Sequence, residues 1–285
     1  MISYSDPPIT EFTYSGVRVR VLHEYRNNIA VPGNKWWKLK NNIDQARREG
    51  CDTLLTFGGA YSNHIYATAA AAKEEGFKSV GIIRGEEVDN GVLGFARRMG
   101  MELRFVSREE YRKVREDGDG RLRDGTHQRR APNVFVIPEG GTNKYAVEGC
   151  AEWGRKLLGI EFDQVYLAVG TGGTMSGLLV GLNGNREIIG VPVLKNDGFL
   201  EDSINELTGS NYSNWRLLNE YHHGGYAKAS KELIAFCKEF KHATIEPVYT
   251  GKLFWAVVDQ IEKGNIKTNT TMLVIHTGGI QLINS

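Results

Sequence analysis

Short apolar runs alternate with amphipathic stretches along almost the whole of this 285-residue chain, and that alternation leaves few folds open. Candidate strands lie at 17–22, 53–57, 79–83, 102–106, 134–137, 164–169, 187–193 and 272–275. Helix-like stretches separate them, at 36–49, 63–75, 92–99, 146–158, 175–182, 228–240 and 253–263. Strands alternating with helices predict parallel strand pairs joined by crossover helices, the α/β class. The run Val165 to Val169 has no polar alternation, as a strand covered on both faces requires. The length suits one or two domains. No internal repeat or low-complexity linker breaks the pattern, and the irregular stretch 118–132 reads as a surface insertion within a βα block.

Several function classes are excluded by charge and cysteine usage. A formal net charge of +1 supplies no global field for nucleic acid or an anionic membrane. The one basic stretch, 108–130, is interrupted by Glu109, Glu110, Glu116, Asp117, Asp119 and Asp124, and reads as a solvated helix and loop. Cys51, Cys150 and Cys237 are far apart, without a C-x-x-C pair or a histidine at ligand spacing, so neither a disulfide framework nor a metal site is expected. Residues 1–13 are polar and hold two prolines, which is unlike a signal peptide. No apolar run approaches the ~20 residues of a membrane span. The expected location is the cytoplasm, with a small molecule as partner rather than nucleic acid or membrane, and a homodimer as the assembly.

In open α/β sheets ligands bind at the carboxyl ends of strands, and four such places hold glycine or hydroxyl residues. Gly170-Thr171-Gly172-Gly173-Thr174 follows a buried strand and opens a helix. Its backbone N–H groups and the helix dipole could hold a phosphate, although a tight strand–helix turn needs the same glycines. Gly58-Gly59-Ala60-Tyr61-Ser62-Asn63-His64 follows another strand, where Ser62 or Asn63 could cap a helix or the helix start could hold a carboxylate. Lys35, after Pro32-Gly33-Asn34, opens a helix whose dipole disfavours its charge. That setting suits either an exposed lysine or an amine of lowered pKa that forms Schiff bases. His276-Thr277-Gly278-Gly279 follows the last strand, and His276 by itself reads as a packed, satisfied histidine. Tyr221-His222-His223-Gly224-Gly225-Tyr226 is an aromatic loop, and Tyr249-Thr250-Gly251 precedes a helix. Each tyrosine alone reads as core packing.

In this order, Gly33-Asn34-Lys35-Trp36-Trp37-Lys38-Leu39, Gly58 to His64, Gly170 to Thr174, Pro247 to Lys252 and His276 to Gly279 resemble the D-cysteine desulfhydrase and aminocyclopropane-carboxylate deaminase family. These are pyridoxal 5'-phosphate enzymes of the tryptophan-synthase-β fold, with open, mostly parallel twisted sheets. The resemblance runs from about Thr10 to Asn284. It implies two α/β domains, the smaller at 36–143 and the larger at 1–35 with 144–285, with the cofactor in the cleft between them.

The resemblance also implies roles. Lys35 matches the Schiff-base lysine, Asn63 the partner of the cofactor's phenolic oxygen, and Gly170, Thr171, Gly172, Gly173 and Thr174 the phosphate loop. Ser62, with the N–H groups of Asn63 and His64, matches the grip on the substrate carboxylate. Tyr226 and Tyr249 match active-site tyrosines, and Tyr221 is expected beside the substrate. Thr250, with Thr277, is expected at the pyridine nitrogen. A hydroxyl there, where known deaminases carry glutamate, points to β-elimination from D-cysteine to pyruvate, ammonia and sulfide, with cyclopropane opening as the alternative. The chain departs from the pattern at Trp37 (usually arginine), Tyr61 (usually glutamine), Ile65-Tyr66-Ala67 and the His222-His223 loop. The acidic segment before Lys35 is reduced to His23-Glu24-Tyr25-Arg26. The changes at Trp37 and Tyr61 leave open a non-catalytic protein that binds the cofactor or an amino acid.

Overall fold

A two-residue hairpin starts the larger sheet of the computed structural model, which describes residues 2–116 and 133–279. Ser15 and Gly16, both at positive φ, join β1 (Ile9–Tyr14) to β2 (Val17–Leu22) as an antiparallel pair. Then follow α1 (Asn34–Arg48), β3 (Thr53–Gly59), α2 (Asn63–Glu75), β4 (Lys78–Arg84), α3 (Gly91–Arg98), β5 (Met101–Val106), α4 (Arg108–Glu116) and β6 (Val134–Ile137). The rest of the described chain runs through α5 (Lys144–Leu157), β7 (Gln164–Val169), α6 (Gly173–Leu182), β8 (Glu187–Pro192), α7 (Phe199–Thr208) and β9 (Trp215–Leu217). It ends with α8 (Lys231–Glu239), α9 (Thr250–Glu262) and β10 (Thr271–Ile275).

The strands form two sheets, one of six in the order β1-β2-β10-β7-β8-β9 and one of four in the order β5-β4-β3-β6. Every pair except β1–β2 is parallel, as the alternation predicts. β7 lies between β10 and β8 with Val165, Tyr166 and Leu167 fully buried, which is why its sequence lacks polar alternation. One core cluster joins Trp36, Trp37, Leu39 and Ile43 of α1 to Cys150 and Trp153 of α5 and Met175, Leu178 and Leu179 of α6. A second covers the other face of the six-stranded sheet with Leu253, Phe254 and Val257 of α9. No helix among the described residues is long and apolar enough to cross a membrane.

The eight expected strands and seven expected helices are present, with ends moved by up to three residues. Three elements, β1, β9 and α7, are additional, and α4 is the solvated helix expected from residue 108. β1 and the three-residue β9 are edge strands, only half-buried. α4 buries only Tyr111 and Val114, and α7 has Leu200, Ile204 and Thr208 as its buried residues. The expected insertion at 118–132 lies outside the described residues.

Candidate active site

The carboxyl ends of β3, β4, β7 and β10 open on one cavity of about 470 Å³. Lys35, Ser62, Asn63, His64, Gly170, Thr171, Gly172, Thr174, Tyr226, Tyr249 and Thr277 all line it. A second, larger hollow of about 1120 Å³ lies beside Ile234 to Val248 and contains none of these residues.

Lys35 projects from the first turn of α1, where Gly33 caps the helix without a side-chain hydrogen bond. Gly33 sits at φ 70, and a Cβ there would lie 1.8 Å from the Thr277 carbonyl oxygen, so only glycine brings α1 this close to the segment after β10. Burial pulls the Lys35 ammonium down to about 8. One turn on, burial and then the Lys35 charge pull Lys38 to about 7, and its Nζ donates to Thr142 Oγ1 at 3.0 Å. Lys38 is a cavity residue that the reading of the sequence passed over. Its spacing of three from Lys35 was a usable signal, because such residues share a helix face.

These amines yield a pH profile for the cofactor-free protein. Only the neutral amine attacks a carbonyl, so the reaction of Lys35 with a small pyridine aldehyde should accelerate as pH rises through about 8 and then level off. A rate that keeps climbing toward ~10.4, the ordinary lysine value, would show an unperturbed amine. Stopped-flow absorbance, with the modified lysine mapped after borohydride reduction, measures it.

The Gly170–Thr174 loop enters α6 through Gly172 in the left-handed region, and α6 has no side-chain cap. Its first N–H groups therefore face the cavity end of the helix with the positive end of the dipole behind them. Thr171 Oγ1 hydrogen-bonds Thr142 Oγ1, which also receives the Lys38 ammonium, and Asn34 Nδ2 donates to Thr174 Oγ1 at 2.9 Å. The loop and α1 thus make one cationic, N–H-rich cradle suited to an anion. Gly173 is in the loop but not in the cavity lining, because it packs on Thr142, whose Cγ2 is 2.8 Å from where its Cβ would stand.

Across the cavity, Ser62 is the N-cap of α2, accepting from the Ile65 N–H at 3.4 Å. Capping and ligand binding are not exclusive here, since the same first turn borders the cavity. The Asn63 Oδ1 is buried without a partner. His64 Nε2 bonds Thr56 Oγ1 at 2.8 Å, and burial followed by the Lys35 and Lys38 charges lowers its pKa well below the usual histidine range, so the ring stays neutral. Tyr226 and Tyr249 meet edge to face at 5.9 Å between centroids. Burial raises both phenols, so each keeps its proton.

Two expected site residues lie elsewhere. Tyr221 is directed to α9, where its hydroxyl bonds Asp259 and receives Gln260 Nε2 at 2.7 Å, so it packs on the sheet instead of facing substrate. Thr250 is fully buried at the start of α9. Its Oγ1 donates to Glu246 Oε1 at 3.2 Å and accepts from the Glu246 N–H at 3.1 Å, which turns it from the cavity and leaves Thr277 there. Glu246, absent from the sequence expectations, accepts the N–H groups of Tyr249 and Thr250 at 2.9 Å and so fixes the start of α9. The departures at Trp37, Tyr61, His222 and His223 are all outside the cavity lining. His276 is buried with Nε2 bonded to the Thr244 carbonyl at 2.8 Å, and desolvation holds it neutral at about 4.

Comparison with known proteins adds an independent finding. A family model described as pyridoxal-phosphate dependent enzyme matches residues 9–278. A Pyrococcus abyssi protein provisionally named 1-aminocyclopropane-1-carboxylate deaminase is 33% identical, with 93% of this chain and 85% of that protein covered. A D-cysteine desulfhydrase from Salmonella paratyphi A is 29% identical, covering 93% of this chain and 88% of its own. The crystal structure of an ACC deaminase homologue superposes with a TM-score of 0.82 at 26% identity, over 99% of this chain and 91% of that one.

Proposed function

Because the chain belongs to the pyridoxal-phosphate dependent enzyme family, we propose that it carries the cofactor on Lys35 and releases pyruvate, ammonia and sulfide from D-cysteine. The observation that carries the reading is the desolvated Lys35 amine placed between two helix starts, α2 and α6, in one cavity. The cofactor fits the residues present: the α6 loop and Lys38 suit its phosphate, and the Asn63 Oδ1, buried without a partner, suits a donor on its ring. When bound, pyridoxal phosphate supplies an electron sink for charge developing at the substrate Cα.

The remaining roles fall to the chain. Ser62 and the first N–H groups of α2 hold the substrate carboxylate. Lys35 Nζ, at about 8, is poised near neutrality to take the Cα proton. Tyr226 and Tyr249, both protonated, can donate hydrogen bonds to the leaving thiolate. The His64 ring is neutral, so the carboxylate would be held by neutral N–H and O–H donors.

A second reading, opening of 1-aminocyclopropane-1-carboxylate, is favoured by the names of the Pyrococcus abyssi relative and the superposed structure. Glu246 also brings a carboxylate to the residues where the deaminase pattern has one, bonding the backbone of Thr250. The desulfhydrase reading comes first because Thr277 supplies the hydroxyl in the cavity, while the Glu246 carboxyl is outside its lining. Purified protein loaded with cofactor should form pyruvate and sulfide from D-cysteine on the order of tenfold faster than 2-oxobutanoate from the cyclopropane. The reverse order would give the site to the deaminase reading. Bound cofactor without either product would revive the non-catalytic binder.

Finer readings accompany this one. The two sheets correspond to two domains, 36–143 and 1–35 with 144–285, with the cofactor between them. A homodimer, testable by light scattering, and a cytoplasmic location, which the few, widely spaced cysteines suit, complete the proposal.

A further inference from the structure

We propose that Asn27, oriented by Glu24, is the positioning residue for Lys35, so that a buried network bracketing the lysine on both sides sets its reactivity. The proposal rests on Lys35 as the residue that carries the cofactor. Asn27 and Glu24 lie outside the cavity lining and are buried to within 1%. The Asn27 amide closes a ring on Gly33, two residues before Lys35: Oδ1 accepts from the Gly33 N–H at 2.9 Å and Nδ2 donates to the Gly33 carbonyl at 3.0 Å. The second Nδ2 hydrogen goes to Glu24 Oε1 at 2.8 Å. Rotating the amide by half a turn would set donor against donor and acceptor against acceptor at Gly33 and oxygen against oxygen at Glu24, so the two partners together fix its sense. The same Glu24 oxygen accepts Trp37 Nε1 at 2.7 Å, two residues after Lys35.

One carboxyl therefore anchors positions 33 and 37, and the lysine between them moves only if both anchors move. The Thr277 carbonyl, pressed on Gly33, closes the remaining side. The arrangement also gives Trp37 a role: its indole N–H is the donor to Glu24 from α1, and its ring fills the core beside Trp153. Burial raises the Glu24 carboxyl to about 8 while the Trp37 and Asn27 hydrogen bonds pull the other way. At pH 7 it is mostly neutral, so its part is that of an acceptor, which a glutamine oxygen can play.

The test uses cofactor-stripped protein and two probes. Pyridoxal phosphate reports covalent capture by Lys35. Pyridoxine 5'-phosphate, which has no aldehyde, reports the anion cradle alone. Asn27→Ala should slow capture by about tenfold or more, because sub-ångström misplacement of a reacting group is costly, and leave pyridoxine phosphate affinity within about twofold. Trp37→Phe keeps an aromatic ring in the core and removes only one anchor, so it should slow capture by about threefold. Glu24→Gln should capture at close to the wild-type rate. Circular dichroism and melting identify the folded variants. A folded Asn27→Ala or Trp37→Phe that captures at the wild-type rate overturns the proposal, as does a Glu24→Gln as slow as Asn27→Ala. Failure of the underlying reading looks different: the captured cofactor would map, in wild-type protein, to a lysine other than Lys35.

Discussion

Replacing Lys35 by alanine should give a folded protein that no longer links pyridoxal phosphate covalently, with turnover lower by on the order of a thousandfold. Folding should survive because α1 is held by Trp36, Trp37, Leu39 and Ile43, all buried in the core shared with α5 and α6. The truncation removes an amine whose charge burial already disfavours, so no stabilising interaction of weight is lost. The natural competitor is Lys38, a second desolvated amine one turn away. Its Nζ is engaged by Thr142 Oγ1 at 3.0 Å, at the anion cradle rather than over the α2 start. Borohydride reduction of the loaded wild type, digestion and mass mapping should therefore put the label on Lys35. A label on Lys38, or a visible cofactor band that persists in Lys35→Ala, would transfer the role.

The parallel sheets were legible because their strands are buried on both faces and separated by amphipathic helices. Ile188, Ile189 and Val191 on β8 leave no other reading. β1 was hidden by weak alternation: Ile9, Phe12 and Tyr14 are only half-buried on an edge strand that opens with mostly polar residues, although the Ser15–Gly16 turn was a hairpin signal. α7 was passed over although Leu200, Ile204 and Leu207 stand at helical spacing between Gly198 and Gly209, a usable signal in a short segment. At the site, residues fixed by backbone position could be read in order along the chain, as the 170–174 loop and the α2 start show. Side-chain direction could not. Thr250 turns to Glu246 and Tyr221 to Asp259 because each hydroxyl finds a partner on the far side of its own element, and no spacing in sequence announces that choice. Glu24 was visible only as the remnant of an acidic segment, since its partners Asn27 and Trp37 acquire meaning once Gly33 is seen wedged against Thr277.

The 170–174 loop can be tested at only one of its glycines without disturbing the fold. Gly172 lies at φ 80, and a Cβ there would be 3.2 Å from Ile204. A Cβ on Gly173 would be 2.8 Å from Thr142. Gly170 is outside the left-handed region, and its Cβ would meet Tyr249 Cε1 at 3.7 Å, an ordinary contact. Gly170→Asp should therefore fold and place a carboxylate at the mouth of the cradle. At roughly 4 Å from a bound phosphate, with an effective dielectric constant near 20, each pair of like charges repels by about 4 kcal/mol. That corresponds to a loss of about a thousandfold in cofactor affinity. Gly170→Asn is the matched control, because it adds nearly the same volume without the charge. Equilibrium titration with pyridoxal phosphate should separate the two by two orders of magnitude or more, and the gap should narrow as salt screens the exposed side of the cavity. If the aspartate and asparagine variants bind the cofactor equally well, the difference between them is not felt by a phosphate, and the anion belongs elsewhere in the cavity.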